Sequence, residues 1–418
     1  MKMTRRKLLG AAGAGVIGSS LSPALVRAQS APIRIGMSMP QTGGLGGGGQ
    51  AALVAIRMWV DEVNERGGLL KRKVEFTAYD DQSNPANTPG IYTKLLDVDK
   101  VDLLIAPYAT VPTAPIMPLV KQRGKLLMGN FSFQVNAKVN HDMWFNNAPW
   151  NKADGWSRGF FGSGEKAGAK KIAVVASDQE FSQNLADGAR EIIKKKGFES
   201  VYDQNYPPTT TDFSSIIRSI RARRPEMVFV ASYPNDSVAI VKAVNEIGLG
   251  SQVQVVGGGM VGLQFTPLMV SLGSLLNGFV NYHTYVPGMK MPGIDAFFEK
   301  YSAKAAAAKV DPLGHYLPPF NYAIGQMLEQ AITATGTIED RKLADYLRAN
   351  EMKTVVGPVR FDATGERANE RLVTVQFRGV KNNDLAQFKG TDRQIVIDPA
   401  GDKTGDIVMP YDKGRKAA

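Results

Sequence analysis

The strongest constraint on the fold is a repeated alternation of short apolar segments with amphipathic helical segments. In the first half of the chain, the apolar segments lie at 33–39, 74–79, 101–106 and 125–129. Between the first two of these segments, Leu53, Ile56 and Val60 mark one face of a helix. This strand–helix order predicts a parallel sheet with helices on both of its faces.

The same order resumes after residue 170, so the 418 residues divide into two α/β units of similar construction. The apolar segments at 170–177, 226–232 and 253–258 are the predicted strands. The segments QNLADGAREIIKKKG, which Gly197 ends, DFSSIIRSIRARR and DSVAIVKAVNEIG have helical spacing. The sequence therefore predicts an α/β fold with two parallel central sheets.

Other regions are assigned from their composition. The segment WFNNAPWNKADGW (144–156) has the Trp, Asn and Pro content of a crossing between the two units. After residue 278 we predict a strand and three helices, and then a hairpin made of 355–366 and 371–379. The polar tail from about residue 380 is predicted to be a loop.

Residues 1–28 are predicted to be an export signal. A basic start that contains the pair Arg5-Arg6 precedes a Gly/Ala-rich apolar run, and VRA offers a cleavage site after Ala28. The arginine pair fits the twin-arginine type. The glycines and Pro23 make this run a poor membrane anchor, so we expect cleavage, with a retained single-span anchor as the alternative.

Charge and cysteine content narrow the classes of protein further. Without the signal, 45 basic and 39 acidic residues remain, and the formal net charge falls from +11 to +6. The basic runs at 194–196 and 221–224 lie at predicted helix ends without aromatic neighbours, so we predict no nucleic-acid partner. The absence of cysteine excludes disulfides, thiol nucleophiles and a lipid anchor at the signal junction. We expect a protein free in the periplasm.

The sequence offers no catalytic or metal-binding pattern. His141, His283 and His315 are far apart and have no acidic partner at a recognisable spacing. The adjacent carboxylates of YDDQSNP (79–85) point to opposite sides of a strand end, which indicates a polar turn rather than a metal site. We therefore predict no enzyme and no bound metal.

The stretch TGGLGGGGQ (42–50) contains a formal G-x-G-x-x-G between a predicted strand and a predicted helix, as in dinucleotide sites. The acid that binds the ribose is expected about 20 residues further on. The second strand instead ends at Asp80, 31 residues after Gly49. We predict no cofactor, and we interpret the stretch as a loop whose backbone N–H groups near Gln50 face a ligand.

In parallel sheets, ligands bind outside the carboxyl ends of the strands. These ends carry the loops PQTGGLGGGG, APYAT, GNFSF, SDQEFSQ, SYPND and GGGM. The loops are rich in Ser, Thr, Asn, Gly and aromatic residues and contain no paired carboxylates. They predict two facing binding surfaces, and hence a cleft that closes on a ligand.

The chain resembles the periplasmic leucine/isoleucine/valine-binding family of ABC-importer solute receptors over nearly all of the mature sequence. The resemblance rests on TGGLGGGGQAALVAIRMWVDEVNERGGLLKRKVEFTAYDDQSNP, LLIAPYATVPTAPIMPLVKQRGKLLMGN, ASDQEFSQNLADGAREIIKKKG, TDFSSIIRSIRARRPEMVFVASYPND and TVVGPVRFDATGE. It implies a type I periplasmic binding fold, in which two Rossmann-like lobes are joined by three crossovers, near 148–152, 279–285 and 353–358. We therefore expect lobe 1 to comprise 29–149 plus 283–353, and lobe 2 to comprise 150–282 plus 354–418.

The same resemblance implies the ligand-binding residues. Thr110 would bind a ligand carboxylate through its hydroxyl and neighbouring backbone N–H, while Phe131, Ser132 and Phe133 would offer backbone groups and a hydroxyl to carboxylate and amine. Phe181 and Tyr233 would cover the ligand from the second lobe. The other implied site residues are Leu45, Gly48, Tyr108, Ala109, Asn235, Gly259 and Met260.

Two positions depart from the pattern of the family. The acid that often pairs with a ligand ammonium falls at Gly259, and the aromatic residue that often covers the side-chain pocket falls near Gly48. A buried ammonium without an opposite charge is costly. We therefore expect a wider, more apolar site that also suits aromatic or aliphatic carboxylates or amides, unless Asp178, Glu180 or Asp236 pairs with an ammonium.

Together these observations predict a monomeric, non-enzymatic binding protein that feeds an ABC importer. Its ligand would be an amino acid or a related small carboxylate, and its protein partner a membrane permease. The alternatives are a ligand-sensing subunit of a signalling system and a secreted NAD-dependent oxidoreductase.

Overall fold

The computed structural model describes residues 31–150, 152 and 154–417, and the predicted export signal at 1–28 lies outside the described residues. These residues form a five-stranded sheet, a seven-stranded sheet and a two-stranded sheet. In this part of the chain, no helix is long and apolar enough to cross a membrane.

The first sheet is entirely parallel and has the strand order β2-β1-β3-β4-β5. Its strands are β1 (Ile33–Ser38), β2 (Val74–Tyr79), β3 (Leu103–Tyr108), β4 (Leu127–Asn130) and β5 (Trp144–Asn146). The connecting helices are α1 (Gly46–Glu65), α2 (Thr88–Asp97), α3 (Thr110–Thr113) and α4 (Met117–Gln122). The four strands predicted for this half of the chain are confirmed.

Both faces of this sheet are buried because side chains alternate along each strand. On β3, Leu103 and Ile105 join the larger apolar core, whereas Leu104 joins a smaller core that contains Tyr92 and Leu95 of α2. Helices therefore cover both faces, as a parallel sheet requires.

The second unit repeats this construction with five parallel strands, β6 to β10. The strands are β6 (Lys171–Ser177), β7 (Glu199–Tyr206), β8 (Met227–Ser232), β9 (Val255–Met260) and β10 (Val280–His283). The helices are α5 (Arg158–Lys166), α6 (Glu180–Lys196), α7 (Ser214–Ala222), α8 (Pro234–Ile247) and α9 (Thr266–Leu272). Gly197, predicted to end α6, caps it in the left-handed conformation at φ 70°.

The chain then returns to the first sheet with α10 (Ile294–Ala308), α11 (Pro318–Thr335) and α12 (Asp340–Ala349). Trp59 of α1 donates its indole N–H to Glu329 of α11 at 3.0 Å. Lys125, just before β4, forms a 2.6 Å ion pair with Asp340 of α12. The three helices predicted after residue 278 are thus confirmed, and they pack on the first unit.

The chain closes on the second sheet. A short pair, β11 (Met352–Thr354) and β12 (Gly357–Val359), precedes β13 (Val373–Phe377), β14 (Gln394–Asp398) and α13 (Tyr411–Gly414). β13 lies antiparallel to β10, and β14 lies antiparallel to β13. The chain therefore crosses between the sheets three times, within 146–158, 283–294 and 359–373, and the predicted two-lobe fold with three crossovers is confirmed.

Three details of the sequence prediction were wrong. The segments 355–366 and 371–379 do not form a hairpin, because β12 pairs with β11 whereas β13 pairs with β10 and β14. The tail after 380 is not only loop, since it contains β14 and α13. The edge strand β7 was missed because most of its residues are polar and exposed.

Candidate functional site

A cavity of about 360 Å³ lies between the carboxyl ends of the two sheets. The glycine-rich stretch, including Leu45 and Gly48, forms its wall on the first sheet. The opposite wall is formed by Pro234, Asn235, Phe265, Pro267 and Leu268. Since the two walls belong to different sheets, any movement of one lobe against the other changes the cavity.

Thr110 links the ends of β3 and β4. It does not line the cavity of about 360 Å³, and neither do seven other residues predicted for the site, which are Tyr108, Ala109, Phe131, Ser132, Phe133, Phe181 and Tyr233. The fully buried hydroxyl oxygen of Thr110 accepts a hydrogen bond from the backbone N–H of Phe133 at 3.0 Å. The hydroxyl of the neighbouring Ser132 donates to Thr113, which in turn donates to the carbonyl of Ala109. Thr110 accepts through its oxygen, so its hydroxyl hydrogen can donate to a ligand.

The same two strand ends are conformationally strained. Ala109 has φ +81° and ψ 163°, and Phe131 has φ +58°, although neither residue is glycine. Such conformations cost about 1–3 kcal/mol each and cluster at ligand-binding sites. The strain lies at two residues that the sequence implicated in binding.

A continuous layer of buried aromatic rings connects the two sheets next to these strand ends. Trp156 is its centre, with ring centroids of Trp150 at 3.8 Å, Phe133 at 5.9 Å and Phe181 at 5.2 Å. The full layer comprises Tyr108, Phe131, Phe133, Trp150, Trp156, Phe181, Tyr233, Phe265, Tyr282, Tyr316 and Phe320. Five of these eleven residues were predicted for the site, whereas Trp150, Trp156, Phe265, Tyr282, Tyr316 and Phe320 were not.

The polar atoms of this layer are neutral donors. The indole N–H groups of Trp150 and Trp156 are buried and have no hydrogen-bond partner within the described ranges. Burial raises the pKa of the Tyr108, Tyr233 and Tyr282 phenols above the ordinary value, so these hydroxyls stay protonated. The layer therefore suits a ligand that combines an apolar body with hydrogen-bond acceptors.

None of the three acids considered for an ammonium group is both buried and available. Asp178 and Glu180 are exposed. Asp236 accepts from the hydroxyl of Tyr206 at 2.6 Å and from the backbone N–H of Tyr233 at 3.1 Å. The acid that lines the cavity is instead Asp311, which sequence reasoning missed.

Asp311 is buried and binds its own loop. Its carboxylate accepts from the backbone N–H groups of Thr266, Leu313 and Gly314 at 3.1–3.2 Å. Burial raises its pKa above the ordinary value, against the effect of these hydrogen bonds. These three backbone donors already stabilise its charge. Asp311 thereby joins the 311–314 loop to the start of α9, and this structural role explains why an acid lies here.

Gly48 does not widen the site as expected. A Cβ atom at this position would lie 2.7 Å from the Phe265 ring and 3.1 Å from Leu317. Phe265 of the second unit therefore occupies the space that a side chain at position 48 would need. The aromatic cover over this part of the cavity is present, but it comes from the opposite wall.

Gly259 and Met260 do not line this cavity, because both lie inside β9. A Cβ atom on Gly259 would lie 2.9 Å from the carbonyl oxygen of Val230 on β8, which leaves no room for an acidic side chain. The backbone N–H and carbonyl of Met260 are both bound to the side chain of Asn281 at 2.9 Å. Sheet packing, rather than ligand size, explains the absence of an acid here.

The glycine-rich stretch is held by Asp80. The Asp80 carboxylate accepts from the backbone N–H of Gln41 at 2.8 Å and from the hydroxyl of Thr42 at 2.7 Å. It is therefore engaged within the loop rather than presented to a ribose. Helix α1 begins at Gly46, inside the glycine-rich stretch. A Cβ on Gly49 would lie 1.8 Å from the carbonyl oxygen of Pro40.

Comparison with known proteins identifies relatives along almost the whole chain. A family model described as "Periplasmic binding protein" matches residues 32–383. The Leu/Ile/Val-binding protein homolog 8 of Brucella abortus (strain 2308) is 25% identical over 392 residues, which cover 90% of this chain and 94% of the relative.

Solved structures share the fold. An ABC transporter solute binding protein of R. palustris in complex with 4-hydroxybenzoate has a TM-score of 0.74 at 18% identity, covering 87% of this chain and 95% of its own. A branched-chain amino acid transporter substrate binding protein of Streptococcus pneumoniae in complex with isoleucine has a TM-score of 0.72 at 19% identity. The match covers 88% of this chain and 100% of that protein's chain. At these identities the likeness is one of fold.

Proposed function

Because the chain belongs to the periplasmic binding protein family, we propose that it is the solute-binding component of an ABC importer. It captures an amino acid or a related small carboxylate between its lobes and delivers it to a membrane permease. The observation that carries this proposal is a continuous layer of aromatic rings and neutral donors from both sheets, which reaches the cavity through Phe265. The relatives of known structure bind isoleucine or 4-hydroxybenzoate, so both ligand classes enter the proposal.

The ligand carboxylate is held by the hydroxyl of Thr110 together with Ser132 and the backbone of Phe133, which are joined at the ends of β3 and β4. Phe181 and Tyr233 cover the ligand from the second lobe, with their ring centroids 5.9 Å apart. Leu45, Gly48 and Asn235 line the mouth of the cleft. Binding makes and breaks no covalent bond and requires no cofactor.

The mature protein is a periplasmic monomer whose signal is removed after Ala28. Lobe 1 comprises 29–149 plus 283–353, and lobe 2 comprises 150–282 plus 354–418. The strands β1 to β5 fall within the proposed lobe 1, and β6 to β9, β13 and β14 fall within the proposed lobe 2, whereas the short β11–β12 pair spans the boundary at 353/354 and the last residue of β10 falls on the lobe 1 side. The three connecting segments between the lobes supply the hinge for capture and release.

A thermal-shift screen of the mature protein tests the function. Leucine, isoleucine, phenylalanine, benzoate, 4-hydroxybenzoate and short aliphatic acids are added separately over a concentration series. We expect at least one amino acid or small carboxylate to raise the melting temperature in a saturable way, because a ligand that binds only the folded state stabilises it by mass action. A folded protein that responds to no member of these classes would contradict the proposal.

A further inference from the structure

The three crossing segments meet at Arg371, away from the cleft. Its backbone N–H donates to the carbonyl of Pro149 in the first crossing at 2.9 Å. Its guanidinium donates to the carbonyl of Lys290 in the second crossing at 3.4 Å, and Arg371 itself lies in the third. One residue therefore contacts all three connections between the lobes.

The guanidinium of Arg371 is poorly satisfied. Its Nε is buried and lacks a hydrogen-bond partner among the residues that the structure describes. Its ion-pair contact with Asp402 is 4.0 Å long. Charge-assisted hydrogen bonds between guanidinium and carboxylate are about 2.7–2.9 Å long, so Asp402 leaves most of the donor capacity of Arg371 unused.

A cavity of about 440 Å³ opens beside this guanidinium. The charged residues that line it are Arg371, Lys290, Lys403 and Asp402, so three cations face one acid. The ammonium of Lys403 also contacts Asp406 outside the lining. The cavity is therefore positively charged, and it is bounded by the second crossing, by Arg371 of the third crossing and by the segment 391–404 around β14.

Arg367 places a second guanidinium close enough to Arg371 for the two charges to interact. Arg367 is 1% exposed and has no acidic partner in the described part of the chain. It donates to the backbone carbonyls of Val356, Pro358 and Asn369, while its Nη1 has no partner there. Burial and the nearby charge of Arg371 lower the pKa of Arg367 to about 9. Buried positive charge without a counter-ion is costly, and a bound anion lowers that cost.

We propose that this cavity binds a small oxyanion, such as phosphate or sulfate, which Arg371 holds together with Lys290 and Lys403. The planar fork of a guanidinium matches the geometry of such anions, and the two ammonium groups add attraction at the rim. The site exists only while the second and third crossings lie side by side. The anion therefore stabilises the arrangement of the lobes described above, and this effector role goes beyond solute capture in the cleft.

The test is thermal unfolding of the mature protein without any solute, in phosphate, in sulfate and in chloride at equal ionic strength. We expect phosphate and sulfate to raise the melting temperature saturably, by about 2 °C at a tenfold excess over the dissociation constant. Chloride at the same ionic strength gives no saturable increase. An equal increase in chloride, or no increase in any salt, would overturn the proposal.

Variants that each remove one positive charge test whether the anion binds at Arg371 and Lys290. Arg371→Gln and Lys290→Gln lose the increase, and Lys290 is exposed, so its substitution leaves the fold intact. Arg360→Gln is the control, because Arg360 is an exposed arginine paired with Glu351 outside the cavity. The proposal is wrong if the increase persists in Lys290→Gln and Arg371→Gln, or if Arg360→Gln abolishes it as well.

Discussion

Among single residues, Thr110 contributes most directly to the proposed carboxylate site. Its oxygen accepts from Phe133 N–H, so its hydrogen can donate to the ligand. We expect Thr110→Ala to weaken a carboxylate ligand about tenfold to a hundredfold, because a hydrogen bond to a charged group contributes about 1.5–3 kcal/mol. Thr110→Ser keeps the hydroxyl and the affinity. Isothermal titration calorimetry measures both variants, and unchanged affinity in Thr110→Ala would remove this residue from the site.

Gly48 and Gly90 form a matched pair, because each lies in the first turn of a helix, α1 and α2. A Cβ at Gly48 meets the Phe265 ring at 2.7 Å, whereas a Cβ at Gly90 has no heavy atom within 4 Å, and Gly90 does not line the cavity. We expect Gly48→Ala to weaken ligand binding at least severalfold, because the added methyl displaces Phe265 from the opposite wall. Gly90→Ala should bind normally and be up to about 1 kcal/mol more stable, since alanine favours the helix. Equal affinities in calorimetry would show that the Phe265 contact does not matter for binding.

At the scale of elements, Glu366 ties the third crossing to strand β5. Its carboxyl accepts from the indole of Trp144 at 2.9 Å and from the amide of Asn146 at 2.7 Å. Burial, with a smaller effect of the Asp362 charge, raises the pKa of Glu366 to about 7 from an ordinary 4.5. The folded protein therefore retains a proton that the unfolded chain loses between these two values. This contribution to stability is complete below about pH 4.5 and is lost as the pH rises through about 7.

We accordingly expect a pH-dependent contribution of about 3 kcal/mol from Glu366, as an order of magnitude. Urea unfolding at pH 5 and at pH 8 should show a smaller loss of stability in Glu366→Gln than in the wild type. Glu351→Gln, which alters a surface ion pair, serves as the control and should retain the wild-type pH dependence. An unchanged pH dependence in Glu366→Gln would show that this carboxyl already ionises normally in the folded protein.

Most elements of the fold could be predicted because central strands of a parallel sheet are continuous apolar segments. β3, β8 and β9 are fully buried, and each was recognised from its residues alone. The edge strand β7 lacks this signal, since all of its residues except Tyr206 are exposed or only partly buried. The pairing of β13 with β10 joins residues about ninety positions apart, and local turn signals carry no information about such a contact.

At the scale of the whole molecule, the composition of the cleft depends on distant segments. Trp150, Phe265, Tyr282 and Tyr316 come from connections or strand ends that the three crossings bring together. The strand-end loops and the resemblance to a family predicted the glycine-rich wall with Leu45 and Gly48, and they suggested the proposed carboxylate site at Thr110 and Phe133. Two features of the cavity could not be predicted from the sequence, because they depend on packing between the two units. They are the cover of Gly48 by Phe265 and the position of the buried Asp311.

The same architecture predicts a movement. The cavity walls belong to separate sheets, and only three segments connect those sheets. We expect small-angle scattering of the mature protein to show a smaller radius of gyration once a binding solute is added, because closure brings Phe265 and Tyr233 onto the first lobe. Thr110→Ala at the same solute concentration should show less compaction, in proportion to its lower occupancy. If a solute shown by calorimetry to bind produces no compaction, capture does not involve closure of the lobes, and the rings would instead form a rigid site.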